Sequence, residues 1–356
     1  MINEYNTTDY PFLSEPKPVT EQIWPDDTPP LITIDCKTYM HEKFIDEAIN
    51  GFLMQKTTFR ALVLIHDDAS TDRTPEIIKN YEAKYPQLIK TTCQVENQYK
   101  KTPKTANYIK PPAIQSKYIA KCEGDDYWTD PTKLQKQVIF LENNPDYVVT
   151  YHDCIVVNEE GQLLHNSRLA ASPYTYKLFK NPDKDKRDFT SRELMMGARV
   201  LLLTMCYRNI TRKNPDEMNR SLFGDRFKTM LLGEYGHGKY MGDIKPAVYR
   251  RHGGGVSSQM ISENIETQQK MRLKAFITFT EMFLYMARNH DYDTAVDFLY
   301  ENFYKRMPAL RPGKNPVDKA VNKVKMSYTY RAGSIVLFIP LKFIKFTKFI
   351  KKILHF

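Results

Sequence analysis

A chain of 356 residues with 42% hydrophobic and 26% charged residues has the balance of a globular protein. It has room for one large domain, or for a catalytic domain with an appendage, and is not a disordered or fibrous polymer. The formal net charge of +10 comes from 52 basic against 42 acidic residues, but Lys342, Lys345, Lys348, Lys351 and Lys352 all lie near the C-terminus; this concentration argues against a whole-surface nucleic-acid interface. Five cysteines (Cys36, Cys93, Cys122, Cys154, Cys206), without a C-x-x-C pair, exclude a disulfide framework or zinc knuckle and point to reduced thiols in the cytosol.

The N-terminus has no basic start followed by an apolar core, so it does not read as a signal peptide. Residues 1–30 are polar and proline-rich and read as an extended arm, packed along the domain by Tyr10, Phe12, Ile23 and Trp24. A strand is predicted at 31–36. A helix follows over 41–55, with Phe44, Ile45, Ala48, Ile49, Phe52 and Leu53 at helical spacing. The run 61–65 is a second buried strand. Thr74-Pro75 then opens a helix, with Thr74 as N-cap and Pro at the first helical position. Strands are predicted at 88–93, 118–122 and 147–157, and a helix at 132–143. This alternation predicts an α/β layer with a mostly parallel sheet flanked by helices, whose ligands sit beyond the carboxyl ends of the strands. Further on, 183–192 reads as a charged loop, 199–207 as apolar, 221–232 as helical, and 262–306 as two amphipathic helices.

Two acidic clusters follow strands. In Tyr118-Ile-Ala-Lys-Cys-Glu-Gly-Asp-Asp-Tyr-Trp-Thr-Asp-Pro131, an apolar strand runs into Gly124 and then into adjacent carboxylates, Asp125 and Asp126. Adjacent like charges repel unless a cation joins them, and a hard divalent ion with oxygen ligands is the natural partner. The competing reading is a solvated acidic turn before a helix, the role that Asp130-Pro131 suits. The second cluster, Asp67 and Asp68, ends the strand Leu62-Val-Leu-Ile-His66. A carboxylate there can accept the imide N–H of uracil or thymine, while Ser70, Thr71 and Asp72 can cap the next helix.

His66-Asp-Asp-Ala-Ser-Thr-Asp-Arg-Thr74 followed by Cys122-Glu-Gly-Asp-Asp-Tyr-Trp-Thr-Asp-Pro-Thr-Lys-Leu-Gln135 resembles the glycosyltransferase family 2 pattern. So does the opening Thr38-Tyr-Met-His-Glu-Lys-Phe-Ile45, with Gln55 closing the first helix. The resemblance covers about residues 31–258 and implies a GT-A fold, a Rossmann-like sheet with nucleotide-sugar binding over 31–150 and an acceptor side over 151–258. Residues 259–356 form a helical C-terminal extension. The implied reaction is inverting transfer of a sugar from a nucleotide donor, by default a UDP-sugar, with Mn2+ or Mg2+ as cofactor. By the same resemblance Thr38 and Tyr39 lie at the nucleotide, Asp68 contacts the base with Asp67 beside it among the donor-binding residues, and Asp125 lies at the donor ribose or sugar. Asp126 is the direct metal ligand. Asp225, in Phe223-Gly-Asp-Arg226, is the candidate general base, with Glu234 in reserve. Arg251 and His252, in Val248-Tyr-Arg-Arg-His-Gly-Gly-Gly-Val256, meet phosphate and metal, unless the segment is only a mobile glycine turn. Two positions depart from the pattern: the first strand ends in charged residues (Asp35, Lys37), and Met40 stands where Asn is common. The Gln-x-x-Arg-Trp signature of polymerising members is absent, since Leu273 follows Gln269 and Arg272, which implies single-sugar transfer.

The apolar run 332–341 is too short to span a bilayer, which takes about 20 residues. Residues 340–356 read instead as a basic amphipathic helix. Phe343, Phe346, Ile350, Ile353 and Leu354 lie on one side, and lysines on the other, which suits an anionic membrane surface or packing on protein. The expected location is cytoplasmic, peripheral on the inner face of the membrane, near a glycan or lipid-linked acceptor. A catalytically degenerate sugar-nucleotide binder and a nucleotidyltransferase are the alternatives. The latter needs a Gly-rich phosphate loop after the first strand, and 35–42 holds no glycine.

Overall fold

A computed structural model describes residues 10–101, 115–164, 187–210, 214–255 and 265–304. The chain divides into two compact units, Met1–Tyr285 and Met286–Phe356. The tail 340–356, and the boundary expected near 258, lie outside the described residues.

The first unit is built on the strands Ile32–Thr38 (β1), Ala61–Asp67 (β2), Ile89–Cys93 (β3), Tyr118–Lys121 (β4), Tyr147–Tyr151 (β5), Cys154–Val157 (β6), Cys206–Arg208 (β7), His237–Tyr240 (β8) and Ala247–Arg250 (β9). Seven of these form one sheet in the order β3-β2-β1-β4-β7-β5-β8. Only β7 runs against the rest, so the sheet is mostly parallel, as the alternation predicts. β6 and β9 pair in parallel as a separate two-stranded sheet. The single strand expected over 147–157 is therefore two strands in two sheets. The break is at His152-Asp153, where the Asp153 carbonyl accepts the Ala247 amide at 3.0 Å and leads the chain toward β9.

The helices are Ile45–Leu53 (α1), Thr74–Lys84 (α2), Gln98–Lys101 (α3), Lys133–Asn143 (α4), Ser191–Met195 (α5), Asp216–Arg220 (α6), Gly224–Gly233 (α7), Ile265–Asn289 (α8) and Tyr292–Leu299 (α9). α1 buries Ile45, Ala48, Ile49 and Phe52, which meet Ile32, Ile34, Val63, Ile65 and Trp128 in the main core. α5 starts inside the expected charged loop, because Thr190 and Glu193 form a reciprocal capping box. α8 buries Ala275, Thr278, Phe279, Met282 and Phe283, a stripe at helical spacing. In the second unit, Asp291 caps α9 by accepting the Thr294 amide at 2.7 Å. The N-terminal arm packs through Tyr10 and Val19, whereas Ile23 is 93% exposed and Phe12 45%, so two of its four expected anchors face solvent. Among the described residues no helix is long and apolar enough to cross a membrane.

The charged end of β1 has a structural cause. Asp35 and Lys121 are register partners on β1 and β4, and their side chains meet at 2.6 Å. Burial alone would raise the Asp35 carboxyl, but the Lys121 and Lys37 cations outweigh it and bring it to about 2.

His152 is only 5% exposed, with Nδ1 at 2.9 Å from the Asp153 carbonyl and Nε2 without a partner. Burial, reinforced by the buried Lys133 ammonium, pushes its imidazole down to about 3 from 6.5. The unfolded chain thus takes up a proton that the native state refuses, and this contribution to stability is lost as pH falls from about 6.5 toward about 3. The loss reaches about 2 kcal/mol at pH 5. Urea unfolding at pH 7.5 and 5.0 checks this: His152→Phe is expected to remove about that much of the wild-type decline.

Candidate active site

The carboxyl ends of β1, β2, β3 and β4 open at one edge of the sheet, and the turns that leave them carry most of the predicted residues. After β4 the chain makes a tight turn in which the Gly124 amide donates to the Lys37 carbonyl at 2.8 Å and the Asp126 amide to the Glu123 carbonyl at 3.1 Å. A Cβ at position 124 would lie 2.7 Å from Thr38 Oγ1 and 2.9 Å from Ile45 Cδ1, which is why glycine precedes the two aspartates. Tyr127 and Val248 exchange two backbone hydrogen bonds, at 3.1 and 2.8 Å. This bridge ties the acidic turn to β9, so that Asp126 Oδ1 accepts the Arg250 amide at 2.9 Å.

Glu123, Asp125 and Asp126 form one group of donors close enough to share a cation, and His41, Asp125 and His252 form a second. His252 Nε2 lies 3.0 Å from Asp125 Oδ2, and His41 Nε2 lies 3.9 Å from the same oxygen. Asp125 Oδ1 is buried without a hydrogen-bond partner. Burial would raise Asp125, but the His252 hydrogen bond and the His41 and His252 charges overcome it and hold the carboxyl below the ordinary range. Burial and then the Asp125 charge push Asp126 well above that range. Glu123 reaches solvent, yet the protein around it and the Asp125 charge push it up to about 7, with Asp225 adding to the rise. Three carboxyls that resist ionising together, one with a buried orphan oxygen, are a donor set that fits a hard divalent cation.

Thr38 is buried at the end of β1, its hydroxyl oxygen without a partner, and half-buried Tyr39 follows it. Asp67 caps the turn after β2, accepting the Ser70 amide at 2.9 Å as well as the Ser70 hydroxyl. Asp68 accepts the amides of Gln98 at 2.8 Å and Tyr99 at 3.1 Å, one on each carboxyl oxygen; it therefore anchors the start of α3. Thr74 does not cap α2 with its side chain. Its hydroxyl accepts the His41 amide at 2.9 Å and so fixes where His41 stands. Met40, before it, has a left-handed backbone (φ 58°), a conformation that Asn tolerates better than Met. Asp225 lies in the first turn of α7, within electrostatic reach of Glu123 and Arg199. Glu234 is the C-cap of the same helix, about 14 Å away along the axis, where its carboxyl accepts the Tyr285 hydroxyl at 3.1 Å. Arg251 Nε and Nη1 are buried without partners.

Three further residues belong to this site. Glu123 lies within the quoted acidic motif, and His41 within the opening motif, yet nothing in their spacing marks either as a donor. Arg199 is brought to Asp225 and Tyr249 by the fold alone.

Residues 36–202 match a family model described as glycosyl transferase family 2. An uncharacterized protein of Mycobacterium tuberculosis is 45% identical over 125 residues, 35% of this chain and 35% of that protein, so the match spans about a third of the relative's length. EpsE of Bacillus subtilis, a candidate glycosyltransferase, is 35% identical over 132 residues, 37% of this chain and 46% of that one. Among solved structures, S. aureus TarS residues 1–349 in complex with UDP-GlcNAc has a TM-score of 0.47 at 17% identity, covering 85% of this chain and 94% of that one. The mannosyltransferase PcManGT from Pyrobaculum calidifontis, in complex with GDP-Man and Mn2+, has a TM-score of 0.47 at 12% identity, covering 88% of this chain and 86% of that one. The matched segment holds β2, the Glu123–Asp126 turn and the end of β1, and it is this part of the chain that is similar to glycosyl transferase family 2.

Proposed function

We propose that the chain is an inverting, metal-dependent glycosyltransferase that moves one sugar from a nucleotide-sugar, by default a UDP-sugar, to a hydroxyl of a glycan or lipid-linked acceptor. The observation that carries this reading is the convergence of Glu123, Asp125, Asp126 and His252 at the carboxyl ends of the parallel strands, with Asp225 in electrostatic reach.

Asp126 and Asp125, with His252, would hold Mn2+ or Mg2+, and the ion would neutralise charge on the departing diphosphate. Arg251 offers its unpartnered guanidinium donors to the phosphates. Thr38, Tyr39 and the turn of Asp67 and Asp68 line the nucleotide end. Asp68 acts there by shaping the Gln98–Tyr99 backbone, and meets the base if that cap opens. Asp225 takes the proton of the acceptor hydroxyl as its oxygen bonds to the anomeric carbon. The bond from that carbon to the diphosphate oxygen breaks on the opposite face, and the electron pair leaves with the nucleotide.

Calorimetric titration with UDP, GDP and dTDP, each with and without Mn2+, tests the reading. One nucleotide is expected to bind in a Mn2+-dependent manner, and Asp126→Ala to weaken that binding by at least tenfold. Failure of all three to bind the folded protein would overturn the donor site.

A further inference from the structure

The donors around Asp125 are not all oxygens. Both His41 and His252 turn Nε2 toward the same carboxylate oxygen, at 3.9 and 3.0 Å, and the two imidazoles meet edge to face, with centroids 5.7 Å apart. Metal–nitrogen and metal–oxygen bonds of about 2.0–2.2 Å place tetrahedral ligand atoms about 3.3–3.6 Å apart. The two observed separations bracket that range, so small side-chain rotations bring the three donors to one ion. Neither imidazole is loosely held. Phe44 lies against His252, with centroids 4.9 Å apart, and the His41 backbone is pinned to Thr74, which is fully buried. His41 Nδ1 is buried and makes no hydrogen bond, so the ring can turn without breaking one.

We propose that His41 is a metal ligand together with Asp125 and His252, and that this pair of imidazoles makes the site favour first-row transition ions over Mg2+, strongly for the borderline Co2+ and Zn2+ and less so for the harder Mn2+. The inference rests on the donor-site reading above and adds to it a ligand and a metal preference. The chemistry is that of the donors. Imidazole nitrogen binds late first-row divalent ions far better than Mg2+, which prefers carboxylate, carbonyl and water oxygen. A set of three carboxylates alone gives no such preference. Glu123 and Asp126, in the other group that shares Asp125, supply the harder oxygens, so the two groups decide between ions by which of them the ion engages.

The test uses metal-free full-length protein and no nucleotide. Co2+ is titrated alone and followed by its visible d–d absorption, and Mn2+ binding is followed by electron paramagnetic resonance in competition with Mg2+. Wild type is expected to bind one Co2+ with a visible band, and to keep Mn2+ against a tenfold excess of Mg2+. His41→Ala and His252→Ala are each expected to weaken Co2+ at least tenfold, with unchanged circular dichroism. His41→Glu, which replaces the nitrogen by a carboxylate of similar reach, is expected to restore Mn2+ binding while allowing Mg2+ to compete. Co2+ binding by His41→Ala equal to wild type would overturn the role of His41 and leave the donor-site reading standing. No metal binding by wild type would overturn both.

Discussion

Asp225→Asn is expected to lower turnover by about 100- to 10,000-fold, the range that general-base removal produces, while nucleotide affinity measured by calorimetry stays within about twofold of wild type. Asparagine keeps the size and planarity of the side chain and its fit in the first turn of α7, but it cannot take a proton. Loss of a negative charge at a helix N-terminus costs about 0.3–1 kcal/mol, too little to unfold the domain or explain such a fall. The location argues for the assignment. Half-buried Asp225 is near enough to Glu123 to raise its carboxyl, and to Arg199 to oppose the effect of burial on that guanidinium, so it lies within electrostatic reach of the acidic turn. Glu234→Gln is the matched control. That carboxyl sits at the far end of α7, bonded to the Tyr285 hydroxyl, and its loss is expected to leave turnover within about threefold. Turnover retained in Asp225→Asn would move the base elsewhere on the acceptor side and leave the donor site untouched.

What the sequence disclosed follows from the range of the physics involved. The strands β2 and β4 were legible because runs buried on both faces are mostly apolar, and β1 was legible from Leu31, Ile32, Ile34 and Cys36. The acidic turn was legible because Gly124 and the following aspartates are contiguous, and one close approach, to Thr38 and Ile45, explains the glycine. The charged end of β1 looked like a departure only because the partner of Asp35, Lys121, stands 86 positions away on the neighbouring strand. Pairings of that kind have no local signature. For the same reason His41 and Arg199 went unseen. The first becomes a candidate donor only when β9 brings His252 to it, and the second only when α7 brings Asp225. The break at His152-Asp153 was hidden because that single polar pair interrupts an otherwise largely apolar run over 147–157, and one polar pair does not reveal that a strand changes sheets. Asp68 is the reverse case. The motif singles it out for the nucleotide end, but both of its oxygens are spent on the backbone of a helix whose placement the motif does not encode.

Gln55→Leu is expected to cost about 3 kcal/mol of stability, read as a lower urea midpoint at unchanged slope. Gln55 is fully buried, and its amide joins three places. Nε2 donates to the Gly51 carbonyl at 3.1 Å and the Asp130 carbonyl at 2.8 Å, and Oε1 accepts the Leu134 amide at 3.1 Å. Leu134 is in the first turn of α4, where amides have no partner within the helix, so Gln55 acts as a cap delivered from another helix. Leucine fills the volume but leaves a buried amide and a buried carbonyl unpaired, at about 1–3 kcal/mol for each such group. Gln55→Glu separates hydrogen bonding from packing. At pH 7 its carboxylate still accepts from Leu134 but faces two carbonyls to which it cannot donate, so the variant is expected to be at least as unstable as Gln55→Leu. Acidification then has opposite effects on the two. It restores one donor to the protonated glutamic acid and brings the Gln55→Glu variant back toward wild type at pH 5, whereas Gln55→Leu gains nothing. Because Asp130 follows the acidic Glu123–Asp126 turn by only four residues, both variants are also expected to weaken nucleotide binding in Mn2+ severalfold. Unchanged stability in Gln55→Leu would mean that α4 is capped by some other group, and that the motif's glutamine serves the donor site directly.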